Sequence, residues 1–144
     1  MKYLLDTNHC SYIMNGTAKN PLYHKLEEIN TLAKYKSIIS TPIYMCEVSL
    51  SELCYGAEKS SISSNIYNRI ATFRALVPCL SLTTDCWELH GKVKWNIKKS
   101  GNNIADFDLL IACVAKTYSC ILVTNDNNFN NLPLGFIQVE NWAN

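Results

Sequence analysis

Ile104-Ala105-Asp106-Phe107-Asp108-Leu109-Leu110-Ile111-Ala112-Cys113-Val114-Ala115 places two acids in front of a run that is apolar nearly all round. A helix with no polar face is covered on every side by protein or by lipid. The run falls far short of the ~20 apolar residues that a membrane span needs. It therefore reads as a central helix, from about Ala105 to Tyr118, packed inside a layered fold. The elements around it must supply those layers.

Working outward, Ile121–Val123 is a short β-rich run just after this helix, and Phe136–Val139 is a last strand. Before it, Thr84-Asp85 can cap a helix that runs to Ser100 and is stopped by Gly101. Further back come strands at Tyr3–Leu5, Ile43–Val48 and Cys79–Leu82. Helices at Cys10–Asn15, about Leu22–Tyr35, Leu50–Glu58 and Ile62–Leu76 lie between them, with Gly16 and Asn20-Pro21 as breakers. Strand and helix alternating in this way predict an α/β fold, a three-layer α/β/α domain around a central, mainly parallel sheet of about five strands. At 144 residues the chain has the size of one domain, and no linker, repeat or low-complexity segment divides it. The tract Asn125–Asn131 reads as a loop, because a strand follows it.

Composition excludes several classes. About half of the chain is apolar (48%) and 17% is charged, a globular balance. The 13 Lys and Arg against 12 Asp and Glu give +1, so a nucleic-acid partner would need a local patch rather than a global field. The seven cysteines form no C-x-x-C pair, and His9, His24 and His90 are scattered, which argues against a zinc site. With no secretory signal and an odd number of thiols, the expected compartment is a reducing cytoplasm.

In sheets of this kind, ligands gather at the carboxyl ends of the strands. Four acids fall at that edge. Asp6 follows the first strand, and Asp126 follows Val123-Thr124-Asn125. Asp108 opens the central helix beside Asp106, and Glu52 lies early in the helix after the second strand. Each has a structural explanation as well. Asp6 and Asp126 suit caps and turns, and an acid in a first helical turn offsets the partial charge there. Ser49 and Glu52 have the spacing of a capping box. Glu47 is the rival of Glu52, but the strand register with Met45 and Ser49 turns it away from the edge. Asp106 and Asp108 are two apart and cannot share a face, so one points to the site and one to the side. Together the acids need a positive partner. Two carboxylates about 4 Å apart repel by roughly 4 kcal/mol at an effective dielectric near 20. With no Lys or Arg beside any of these acids in sequence, a hard cation such as Mg²⁺ or Mn²⁺ suits an all-oxygen set.

The chain resembles the PIN-domain ribonucleases of the VapC toxin type. The resemblance is carried by LLDTN (4–8), VSLSELCYGAEKS (48–60), IADFDLLIACVA (104–115) and LVTND (122–126), with a closing VENW (139–142). It runs in order through the whole chain. It implies a compact PIN domain over residues 1–144 that binds Mg²⁺ or Mn²⁺ and cuts RNA. Asp6, Glu52 and Asp108 match the first three family acids. Asp126 matches the fourth, which is often Asp or Asn. Asn8 matches a polar residue beside the first acid, and Thr124 a hydroxyl that orients water or a carboxylate, while Asp106 falls at a variable, outer position. A cognate VapB-like antitoxin and a homodimer are implied too, with transfer RNA as the family-level substrate. Two departures stand out: a long stretch from Asn30 to Thr41, and a loop after Asp126 that is one residue short.

The expected reaction is metal-assisted hydrolysis of a phosphodiester. Asp6, Asp108 and Asp126 would hold the ion, and Glu52 would bind it or orient water. Lys94 and Lys98 share one face of the helix before the central one, with Lys92, Lys99 and Trp95 nearby, and form the candidate RNA contact. Two other readings compete. One is a phosphotransfer domain with Asp6 as nucleophile, although such phosphatases want a second Asp where this chain has Asn8. The other is a PIN-like binding module without catalysis.

Overall fold

The computed structural model describes all 144 residues. Five short strands, β1 (Tyr3–Leu5), β2 (Ile43–Cys46), β3 (Cys79–Leu80), β4 (Ile121–Val123) and β5 (Val139–Glu140), form one sheet in the order β3-β2-β1-β4-β5. Every pairing is parallel. Six helices flank it: α1 (Thr7–Ala18), α2 (Leu26–Ser37), α3 (Glu47–Lys59), α4 (Ser63–Leu76), α5 (Thr84–Lys99) and α6 (Asp106–Thr117).

The period-2 pleat divides the strands between two cores. Tyr3 and Leu5 face one side, with Ile13, Leu32, Leu53 and Phe73 from α1 to α4. Leu4 and Leu122 face the other, with α5 and the buried side of α6 from Leu109 to Ala115. Each fully buried Leu, such as Leu4, Leu5 and Leu109, contributes about 1.5–3 kcal/mol relative to exposure. The polar-free stretch of α6 is thus consumed by the interior, as its composition requires.

The strand order fixes where a site can form. From β1 the chain winds outward to β2 and β3, then returns to the other side of β1 to add β4 and β5. The connections diverge at the carboxyl ends of β1 and β4, which opens a crevice there. Asp6 sits on that line, its backbone N–H bonded to Val123 O at 3.0 Å.

Several boundaries differ from the sequence reading. β2 stops at Cys46, and Glu47 is the first residue of α3 rather than part of a strand. Its Oε1 accepts from the Leu82 N–H at 2.6 Å, next to β3. Ser49 is therefore inside the helix and buried, and the capping box with Glu52 does not exist. α1 begins at Thr7, directly behind an Asp6 N-cap, and runs through Gly16. That glycine is not a breaker but a point of close approach: a Cβ there would run into Leu32 of α2. A 3-10 turn at Pro21–Tyr23 precedes α2, so the helix expected from Leu22 starts at Leu26. Thr83 caps α5 ahead of Thr84, and the tract after Asp126 winds into a 3-10 turn, Asn127–Asn131. Gly101 ends α5 with φ of +82°, the left-handed conformation that lets the Asn102 N–H reach Ile97 O.

Candidate active site

A cavity of about 130 Å³ opens at the crevice, lined by Asp6, Thr7, Asn8, Glu52, Asp108, Ile111, Asp126 and Phe129. Four separate parts of the chain meet in it. Asp6 arrives at the end of β1, Glu52 on the second turn of α3, Asp108 as the third residue of α6, and Asp126 beyond β4. Asn8 also lines the space. A cavity of this size holds several waters or an ion with part of its hydration shell.

Each carboxylate is held by a local device. Asp6 is only 4% exposed, and its Oδ1 accepts from the His9 backbone N–H at 2.8 Å. Thr7 Oγ1 donates to Glu52 Oε1 at 2.5 Å and lies 3.2 Å from Ser49 Oγ. Asp126 Oδ1 accepts from the Asn128 N–H at 2.9 Å, and the Asn128 amide stands 3.5 Å from the other oxygen. Thr124 is buried, and its hydroxyl accepts from the Asp126 N–H at 3.0 Å, so it shapes the turn that carries Asp126. The sequence reading gives Thr7, His9 and Asn128 no role in the site, and Ser49 only that of a cap. The signal for Thr7 was its place between Asp6 and Asn8; for the others it was spatial.

Asp106 takes no part in this cavity. It is exposed and pairs with Lys94 at 2.9 Å and with His90 at 3.1 Å, both from α5. The Lys94 hydrogen bond holds its carboxyl below the ordinary range. Lys94 is accordingly half of an ion pair rather than a free basic group. Lys98 remains exposed, and Lys99 lies over the Trp95 ring at 5.5 Å.

Asp108 carries the imprint of the cluster. Burial raises its carboxyl above the ordinary value, and the charges of Asp126, Glu52 and Asp6 raise it further, with a smaller opposing effect from an Asn128 hydrogen bond. No Lys or Arg lies within ion-pair reach of Asp6, Glu52, Asp108 or Asp126, since the salt bridges of the chain fall elsewhere or involve His9. No three of these side chains close into a ready-made ligand cage. They surround a space instead of filling it. That arrangement fits Mg²⁺, which keeps several waters and binds proteins through one or two carboxylates. The all-oxygen donor set fits the same hard cations.

The profile of the PIN domain family matches residues 3–134. The chain is 32% identical to Ribonuclease VapC2 of Rickettsia felis, over 99% of this chain and 98% of that one. It is 30% identical to the tRNA(fMet)-specific endonuclease VapC of Shigella flexneri, over 99% of each. Its fold superposes on the crystal structure of VapBC2 from Rickettsia felis, bound to a promoter DNA fragment, with a TM-score of 0.82 at 25% identity over 99% of each chain. VapBC-1 from nontypeable Haemophilus influenzae gives 0.79 at 25% identity over the full length of both. The chain belongs to the PIN domain family, in its VapC ribonuclease branch. The phosphotransfer reading falls with that assignment.

Proposed function

We propose that this protein is a divalent-metal-dependent endoribonuclease in which Asp6, Glu52, Asp108 and Asp126 form the catalytic and metal-binding set, with Mg²⁺ or Mn²⁺ as the ion. One observation carries the reading: four carboxylates from four elements face one cavity with no Lys or Arg among them, and burial, reinforced by the acidic neighbours, raises the Asp108 carboxyl. Their repulsion is relieved by a cation supplied from outside. When bound, such an ion supplies Lewis-acid chemistry, offsetting the charge that builds on a phosphate and strengthening water as a nucleophile.

The chain's own groups do the rest. Thr7 fixes Glu52 through Oε1, which leaves the second oxygen to accept a proton from water. Asp6 presents its Oδ2, because Oδ1 is taken. Asp126 is set by its turn, with Thr124 supporting it, and Asn8 lines the wall where a ribose or phosphate oxygen would pass. α5 packs on α6, and the Lys94–Asp106 pair ties it to the first residue of the helix that carries Asp108. Lys98, with Lys94 once it leaves Asp106, is the proposed contact to the RNA backbone.

Transfer RNA is the proposed substrate class, in keeping with the relative from Shigella flexneri that is named for it. The VapBC complexes among the solved relatives support a VapB-type antitoxin as the partner that covers the cavity. A homodimer in the cytoplasm is the proposed working form, and no helix is long and apolar enough to cross a membrane. The test is cleavage of total RNA by the purified protein with Mg²⁺, Mn²⁺ or EDTA. Cleavage should require the ion and disappear in Asp6→Asn and Asp108→Asn. Cleavage that persists in EDTA or in both variants would contradict the reading.

A further inference from the structure

His9 stands behind the first carboxylate and outside the set described above. It is the third residue of α1, 0% exposed, and its ring Nδ1 lies 2.9 Å from Asp6 Oδ1. Its own backbone N–H reaches the same oxygen at 2.8 Å. The backbone contact alone completes an ordinary N-cap. The ring contact is an addition, and the fold sustains it at a cost, because Nε2 is buried with no hydrogen-bond partner. An apolar side chain would fill the same space without that unpaired atom. An Nδ1 without a proton would set two lone pairs against each other at 2.9 Å, so Nδ1 carries the hydrogen and donates it.

The ring is itself held. It packs edge-on against Tyr12, with centroids 5.4 Å apart and planes at 71°. The Tyr12 hydroxyl accepts from Asn125 Nδ2 at 3.2 Å, and Asn125 adjoins Asp126. Asp6 Oδ1 is thereby saturated by two donors, and Oδ2 alone is left for the cavity. We propose that His9 is a positioning residue, whose Nδ1–H donation to Asp6 locks that carboxylate to present a single oxygen to a bound divalent ion. The proposal rests on the reading of the acid cavity as a cation site. Partners of this kind, one bond removed from a metal, set the orientation and affinity of the ligand they touch.

The test is Mn²⁺ affinity, read from the EPR signal of the free ion, in the wild type, His9→Asn, His9→Leu and Asp6→Asn, with circular dichroism in EDTA to confirm folding. An asparagine amide retains an N–H donor on the Nδ1 side of the residue. His9→Leu should weaken Mn²⁺ binding about 10-fold or more, while His9→Asn should stay near the wild type. Wild-type affinity in His9→Leu, or equal weakening in both variants, would overturn the proposal. A wild type without Mn²⁺ binding, or an Asp6→Asn variant that binds normally, would instead remove the cation site and this role with it. Should His9→Leu fail to fold, long-range ¹H–¹⁵N spectra of the wild type decide the matter. They should show an Nδ1–H tautomer whose resonance moves on adding Mg²⁺, and an Nε2–H tautomer or an unmoved signal would refute it.

Discussion

Thr7 Oγ1 donates to Glu52 Oε1 at 2.5 Å across 45 positions of sequence, tying the first turn of α1 to the second turn of α3. The bond joins the segment after β1 to the helix after β2, so two walls of the acid cavity keep one spacing. A hydrogen bond to a charged acceptor is worth about 1.5–3 kcal/mol. Thr7→Val should therefore lower kcat by roughly tenfold to a hundredfold, with KM little changed, and Thr7→Ser should restore most of it. Steady-state kinetics on a fluorogenic RNA would check this.

Asp108 should make metal-free stability depend on pH in an unusual direction. Its folded-state carboxyl is raised above the ordinary 3.8, so the native state binds this proton more tightly than the unfolded chain does. The contribution is favourable at low pH and is lost as pH rises through and above that ordinary value. Asp108→Asn removes the loss. In EDTA, the Tm advantage of Asp108→Asn over wild type should be small near pH 4 and grow toward neutrality, as differential scanning calorimetry can record. An advantage that shrinks with rising pH would contradict the assignment.

Gly16 sits where α1 and α2 approach each other, against Leu32. Gly16→Ala should overpack that contact and destabilise the protein by about 1–3 kcal/mol. Leu32→Ala should lose less stability in the Gly16→Ala background than in the wild type, because the two share the same space. Urea denaturation of the four proteins closes the cycle, and additive effects would show that the approach is not tight.

Lys94 and Asp106 make opposite predictions for RNA binding. Changing Lys94 and Lys98 to Ala should weaken binding and flatten its salt dependence, whereas Asp106→Asn should release Lys94 and steepen it. Each phosphate contact contributes roughly one unit to the logarithmic salt slope. Anisotropy titrations in a cleavage-dead Asp6→Asn background, in EDTA, separate the two.

The layered α/β architecture and the four acids of the cavity were legible because they rest on local patterns. The apolar run of α6 admits only a central place, and the acids directly after β1 and three residues after β4 fall at the sheet edge by topology. Glu52 was harder. Its spacing from Ser49 imitates a cap, and only the structure shows that α3 starts two residues before Ser49, with Glu47 turned to Leu82. Gly16 misled for a related reason, since sequence alone does not distinguish a helix breaker from a helix crossing. The partners of Asp106 and the ring of His9 depend on side chains meeting through the fold, which no periodicity encodes.

If the four acids tolerate one another through a shared divalent ion, adding that ion should reverse the stability order of wild type and Asp108→Asn. Tm is measured for wild type and Asp108→Asn, first in EDTA and then in saturating Mn²⁺. Asp108→Asn should be the more stable protein without metal, and wild type should overtake it with metal, since an ion at 100 times its Kd adds about 2.7 kcal/mol to the protein that binds it. The same order under both conditions, with neither protein shifted by Mn²⁺, would contradict it.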